Sequence, residues 1–253
     1  MKSGLTAEFE KVVIYGPGKI GKSELASHLS KVGVEPMFLD IGSSTGHIKT
    51  NRVSSEELAT WEDLRSALHD ESLWSKYGAV VIDDLTKAEE MAANWVVRNI
   101  PHPKNKPIRT IEDYGWGDGL AFVYDAFLLL LGDLDSHIRN GRHVVCIAHE
   151  CTAPVPNPGG DDWIRYEPRL QSPKSGKSSI RHRVKEWSDH IFFIGYDTHV
   201  TEDGKGQGAG TRTIYTSEMP THWAGSRIIN SPIPYSRGSA ELWERLFAKG
   251  ERE

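Results

Sequence analysis

Three short stretches of the sequence carry residues spaced for phosphate chemistry. Gly16-Pro17-Gly18-Lys19-Ile20-Gly21-Lys22-Ser23 fits the spacing G-x-x-x-x-G-K-[ST], directly after an apolar run that predicts a strand and directly before a helical pattern. In that setting the glycines let backbone N–H groups curl around phosphate oxygens, and the helix turns its positive end toward them. Lys22 is placed to reach the β and γ oxygens and Ser23 to ligate Mg²⁺, so the stretch is read as an ATP site. Lys19 either touches phosphate or is solvated, and the second is favoured. The second stretch is Ala79-Val80-Val81-Ile82-Asp83-Asp84, an apolar run ending in two acids. Asp83 is the candidate carboxylate for the metal's water shell, whereas Asp84 either polarises the attacking water or caps a helix beginning near Thr86. In the third, Ile147-Ala148-His149-Glu150, His149 is the candidate sensor of the γ-phosphate, with a plain strand-end histidine as the alternative. Glu150 is a weaker candidate for the water-activating base.

These residues need strands to present them, and the apolar runs supply four: Val12–Tyr15, Met37–Leu39, Ala79–Ile82 and Val144–Ile147. Both faces of each run are apolar and β-branched residues dominate, which predicts buried parallel strands. Helical patterns separate them at about 22–31, 55–69, 86–100 and 118–139, giving an α/β fold with a mainly parallel central sheet flanked by helices. A fifth strand is predicted over His190–Tyr196. Thr211–Thr216 and Trp223–Ile229 then read as an antiparallel edge near the C-terminus. Two stretches, 152–179 and Glu202–Gly210, read as flexible loops rich in turn residues. One domain spanning 1–253 is expected, with no internal repeat.

Composition excludes several classes. With 38% hydrophobic and 26% charged residues, and no run approaching the ~18 apolar residues of a membrane span, the chain reads as a cytoplasmic protein without a membrane partner. The first residues lack the apolar run of a signal peptide. Cys146 and Cys151 imply neither a disulfide framework nor a zinc site. The net charge of −5 is unevenly spread. From Trp163 to Lys185 seven basic residues (Arg165, Arg169, Lys174, Lys177, Arg181, Arg183, Lys185) face one acid, Glu167, a local charge of +6. A positive segment on an acidic body suits a localised polyanion site.

Several segments together resemble phage-encoded RecA-like P-loop ATPases, a family of AAA-domain proteins that includes single-strand-annealing recombination proteins. The matching pieces are Gly16–Ser23, Phe38-Leu39-Asp40, Val81-Ile82-Asp83, Tyr114-Gly115-Trp116-Gly117 before a long helix, and Ala148-His149-Glu150. Later come Asp162–Leu170, Glu186–His190 and Trp223–Arg227, in family order along nearly the whole chain. The resemblance implies a RecA-like core with ATP hydrolysis, loops after the third and fourth strands that approach DNA, and a homo-oligomer with ATP at subunit boundaries. It also implies a host-cell cytoplasmic location and a single-strand DNA-binding protein as a further partner. One departure matters: proteins similar to RecA carry a glutamate after the second strand as hydrolytic base, whereas this chain reads Asp40-Ile41-Gly42-Ser43-Ser44, which leaves either Asp84 or Glu150 as the replacement or a slow turnover.

Single-stranded DNA needs cations for its backbone and aromatic faces for its bases. The stretch 101–119 offers Lys104, Lys106, Arg109, Tyr114 and Trp116, and the element 152–185 offers Trp163, Arg165, Tyr166, Arg169, Lys174 and Lys177. Residue by residue, solvation or anchoring is the favoured reading; the +6 segment as a whole favours a polyanion. Arg169, Lys174 and Lys177 are expected to lie away from the phosphate loop. Arg181, Arg183 and Lys185, just before the fifth strand, are candidates to reach a neighbouring subunit's ATP. The expected function is thus an ATPase that binds single-stranded DNA and promotes annealing or strand pairing. The alternative is an ATP-dependent switch acting on a protein partner, with a small-molecule kinase behind both.

Overall fold

Strand β1 (Lys11–Gly16) forms where the sequence places it, and alternate residues enter two different cores: Val13 and Tyr15 pack on one face of the sheet, Val12 and Ile14 on the other. The structure is a computed structural model that describes residues 8–115, 117–200 and 206–247. The expected strands over Met37–Leu39, Ala79–Ile82 and Val144–Ile147 are present with extended ends, as Pro36–Asp40, Ala79–Asp83 and His143–Val155. In chain order the remaining elements are α1 (Lys22–Ser27), β2 (Pro36–Asp40), β3 (Asn51–Val53), α2 (Trp61–His69), α3 (Glu71–Trp74), β4 (Ala79–Asp83), α4 (Leu85–Asn99) and α5 (Asp118–Arg139). Then follow β5 (His143–Val155), β6 (Trp163–Pro168), α6 (Ile180–Trp187), β7 (His190–Val200), β8 (Gly206–Tyr215), β9 (Gly225–Ser226), β10 (Ile233–Pro234) and α7 (Glu241–Phe247).

The sheet runs β10-β8-β7-β1-β5-β4-β2-β3, with β6 paired to β5 and β9 to β7. All pairs from β7 through β3 are parallel, while β8 and β10 add an antiparallel edge. This is the α/β, mainly parallel arrangement with an antiparallel edge that the strand and helix alternation predicts. Parallel strands put their C-terminal ends on one side, so Gly16, Asp40, Asp83 and His149 emerge together: Gly16 stands opposite His149 and Asp40 opposite Asp83 in the registers. Residues of α1 and α7 fill one core, and those of α2, α4, α5 and α6 fill the other.

Several expectations are corrected. The helix expected from 55 begins at Trp61, because Thr60 and Asp63 form a reciprocal capping box that fixes its start. The helix expected over 22–31 is α-helical only to Ser27 and tightens to a 3₁₀ turn over His28–Val32. Instead of a flexible loop over 152–179, β5 continues to Val155 and pairs antiparallel with β6 from Glu150 opposite Pro168 to Val155 opposite Trp163. Its two faces differ in exposure, as a strand's alternation requires. Of Trp223–Ile229 only Gly225–Ser226 pairs with β7, since the Ser226 hydroxyl accepts the Ile228 and Ile229 amides and turns the chain. The later part of Glu202–Gly210, from Gly206, is strand β8 rather than loop. Residues 202–205, the N-terminal residues 1–7 and Trp116 lie outside the described residues.

Candidate functional site

The phosphate loop joins β1 to α1 and is hydrogen-bonded by two side chains 192 and 214 residues away along the chain. Tyr235 donates its hydroxyl to the Gly21 carbonyl at 2.9 Å, and Arg212 donates to the Ile20 carbonyl at 2.8 Å. Gly21 has φ +111°, and a Cβ there would lie 2.7 Å from the Tyr235 hydroxyl. Glycine is therefore required twice over, by backbone conformation and by the tyrosine packed on it. Lys22 donates to the Gly16 and Pro17 carbonyls, both at 2.8 Å, so its ammonium is folded back along the loop it serves. Burial lowers its pKa, opposed by Asp83 and Asp84. Lys19 is exposed at the cleft rim.

Asp83, 2% exposed, bonds to the Ser23 hydroxyl and accepts the Ser44 hydroxyl at 2.6 Å. Burial raises its pKa against those two hydrogen bonds. A serine hydroxyl beside a carboxylate is the hard-oxygen donor set that Mg²⁺ takes, so Ser23 and Asp83 fit the metal. Asp40, at the end of β2, accepts the Ser44 and Thr45 amides at 2.8 and 3.1 Å and both their hydroxyls. It holds a turn, and among the described residues no carboxylate between β2 and β3 lines the cleft.

Asp84 divides its two oxygens between a helix and the cleft. One accepts the Lys87 amide at 2.7 Å and caps α4; the other lies 3.3 Å from Nε2 of His149. Burial lowers the His149 pKa, Asp84 opposes this, and Lys22 and Arg169 add to the lowering. Glu150 follows with a carboxyl whose pKa burial raises and Lys22 lowers. Its Oε2 is buried without a hydrogen-bond partner among the described residues, and Glu150 does not line the cleft.

The cleft has a volume of about 790 Å³ and is walled by Gly18, Lys19, Gly21, Lys22, Ser23, Asp83, Asp84 and His149. Lys31, His47, Lys49 and Arg237, which the sequence reading missed, also line it. His47 and Lys49 were within reach of the rule that ligands gather at the carboxyl ends of parallel strands. Arg237, from the segment before α7, carried no such signal.

The basic residues divide into two sets. Arg165 donates to Glu167 at 2.8 Å and pairs with Glu218. Arg181 donates to Glu167 at 2.6 Å and to the Leu170 carbonyl at 3.0 Å, and Lys185 pairs with Glu218 at 3.3 Å over the Trp223 ring. Arg181, Arg183 and Lys185 stand on helix α6 rather than in a strand entry, and Arg181 and Lys185 are tied into their own chain rather than held out as free cations. Arg183 is exposed, 3.9 Å from Glu186. Lys104, Lys106, Arg109, Arg169, Lys174 and Lys177 are all exposed and make no ion pair among the described residues. Tyr114 is buried, with its hydroxyl on the Val96 and Ile100 carbonyls, and so anchors its loop instead of offering a face to a base. Tyr166 is 41% exposed and stacks one face on Phe193. Arg169 does not lie away from the phosphate site: its amide donates to the His149 carbonyl at 2.8 Å.

Beside this segment Glu89 accepts the Gln171 amide at 2.7 Å, and burial raises its pKa to about 7. The unfolded chain releases this proton near pH 4.5 while the folded chain keeps it to about 7, so the folded state binds more protons between those values and stability falls as pH rises through them. Urea unfolding from pH 5 to 7.5 should show that fall. Glu89→Gln, which keeps an acceptor for Gln171, should flatten it.

Cys146 is fully buried and burial pushes its thiol pKa up, Cys151 is half-buried, and neither forms a disulfide. No helix among the described residues is long and apolar enough to cross a membrane.

A family model described as "AAA domain" matches residues 8–228. No curated protein matches the sequence. Among solved structures the chain is similar to the flagellar accessory protein FlaH of Methanocaldococcus jannaschii, at 11% identity over 89% of this chain and 84% of that one, TM-score 0.42. It is also similar to a KaiC-like protein of Pyrococcus horikoshii, at 10% identity over 90% and 86%, TM-score 0.46.

Proposed function

Because the chain belongs to this AAA-domain family of P-loop proteins, we propose that it binds ATP with Mg²⁺, hydrolyses it, and grips single-stranded DNA in a phage-type annealing or strand-pairing reaction. The observation that carries the reading is the backbone hydrogen bond from the Arg169 amide to the carbonyl of His149, which brings the start of the exposed basic segment against a residue that lines the phosphate cleft. Backbone amides of the loop and Lys22 hold the phosphates. Ser23 and Asp83 would hold Mg²⁺, which neutralises charge on the β and γ oxygens. Asp84, steered by His149, takes the proton of the attacking water as its oxygen adds to the γ-phosphorus and the β–γ bridging oxygen leaves with ADP. Tight internal pairing of Arg165, Arg181 and Lys185 leaves Lys104, Lys106, Arg109, Arg169, Lys174 and Lys177 for a polyanion.

The test separates DNA binding from nucleotide binding by sparing Arg169. Lys174→Gln with Lys177→Gln should weaken single-stranded DNA binding and lower the slope of log affinity against log salt by ~0.7 for each phosphate left without its cation, ~1.4 for two. ATP affinity should stay unchanged. If the wild type with ATP and Mg²⁺ shows no salt-dependent binding to single-stranded DNA, the DNA reading fails. A protein partner then takes its place, favoured by the exposed Ile164, Tyr166 and Met219, at 69%, 41% and 53% exposure.

A further inference from the structure

Three hydrogen bonds close a ring at the rim of the cleft. The His149 amide donates to Thr86 Oγ1 at 3.2 Å, the Thr86 hydroxyl donates to the Arg169 carbonyl at 3.2 Å, and the Arg169 amide returns to the His149 carbonyl at 2.8 Å. Thr86 is buried in the first turn of α4, two residues after Asp84, which caps that helix and faces the His149 ring. One turn further on, Glu89 takes the Gln171 amide, and the Gln171 side chain donates to the Leu120 and Ser178 carbonyls at 2.8 and 2.7 Å. The segment 169–178 therefore hangs from two successive turns of the helix that begins at the phosphate cleft. Arg169, Lys174 and Lys177 ride on it.

We propose that Thr86 is the positioning residue through which occupancy of the phosphate cleft sets the order of segment 169–178. The inference rests on the reading of the cleft as an ATP site, and is independent of what the segment binds. A phosphate drawing the His149 ring shifts a backbone unit held at both its N–H and its carbonyl, and the Thr86 hydroxyl is the group that ties that unit to the Arg169 carbonyl. The role needs a side chain that donates and accepts at once, which threonine and serine provide and valine, of the same shape, does not. Threonine's β-branch also restricts χ1, so the hydroxyl stays aimed.

Hydrogen exchange of peptides covering 168–178, with and without ATP and Mg²⁺, tests this. In the wild type exchange should slow by ~5-fold on nucleotide binding, the effect of about one hydrogen bond gained in the closed state. In Thr86→Val, ATP read by a fluorescent analogue should still bind, and the nucleotide-dependent slowing should vanish. Thr86→Ser should restore it, and Thr86→Ala serves in place of valine if that variant does not fold. A Thr86→Val protein that binds ATP and keeps the wild-type protection overturns the proposal, as does a wild type that binds ATP with no change over 168–178. A wild type that binds no ATP overturns the reading of the cleft along with it.

Discussion

Lys22→Ala should leave the protein folded and unable to hold ATP. The lysine's own hydrogen bonds go to the Gly16 and Pro17 carbonyls, while the loop's shape is fixed separately by Tyr235 and Arg212. Removing the ammonium therefore takes away charge without releasing the cradle. Two charge-assisted hydrogen bonds to phosphate, at ~1.5–3 kcal/mol each, amount to ~10²–10⁴-fold in affinity. Lys19, exposed at the rim, has no comparable hold on the loop. Equilibrium titration with a fluorescent ATP analogue measures the loss, and circular dichroism establishes that the variant is folded. An unchanged affinity would remove the phosphate-site assignment altogether.

The second large effect concerns hydrolysis. Asp84→Asn should cut turnover by ~10²-fold or more, the usual cost of losing a general base, while ATP still binds. Asparagine caps helices about as well as aspartate, so α4 should keep its start and the loss should belong to chemistry. Asp40 cannot substitute, because its oxygens are taken by the Ser44 and Thr45 amides and hydroxyls. Glu150 does not line the cleft, so Glu150→Gln should change turnover little. If Glu150→Gln is the variant that loses turnover and Asp84→Asn is silent, the base belongs to the end of β5.

The parallel core was legible because its signal is local: a strand buried on both faces must be apolar at every position, as Val12–Tyr15 and Ala79–Ile82 are. The phosphate loop was legible for the same reason, eight contiguous residues between a strand and a helix. Helix α6 was not, although Ser179 caps it and Ile180, Val184 and Trp187 share its buried stripe. Its charged residues masked that spacing, and the same charges concealed how far Glu167 and Glu218 neutralise them. Both acids reach Arg165, one from two residues away on the same strand and one from beyond β8, which no count of charge along the chain reveals. Arg237 reaches the cleft only because the segment leading to α7 crosses back over α1, where Trp243 donates to the Leu25 carbonyl at 2.6 Å. Such closures are made by tertiary packing and leave no periodic trace.

Placement of β1 between β5 and β7 has a consequence for how the chain acquires its shape. Strand β1 leaves the ribosome before either strand it pairs with, residues 144–149 on one side and 190–193 on the other. Its loop is then secured by Arg212 and Tyr235. The motif most easily read in the sequence is thus among the last parts of the molecule to become structured during synthesis. A high contact order of this kind slows folding, because the loops closing the centre of the sheet cost entropy before the contacts form. Until some two hundred residues have emerged, the nascent chain carries a glycine-rich stretch that looks like a nucleotide site and has neither the neighbours nor the staple that make it one.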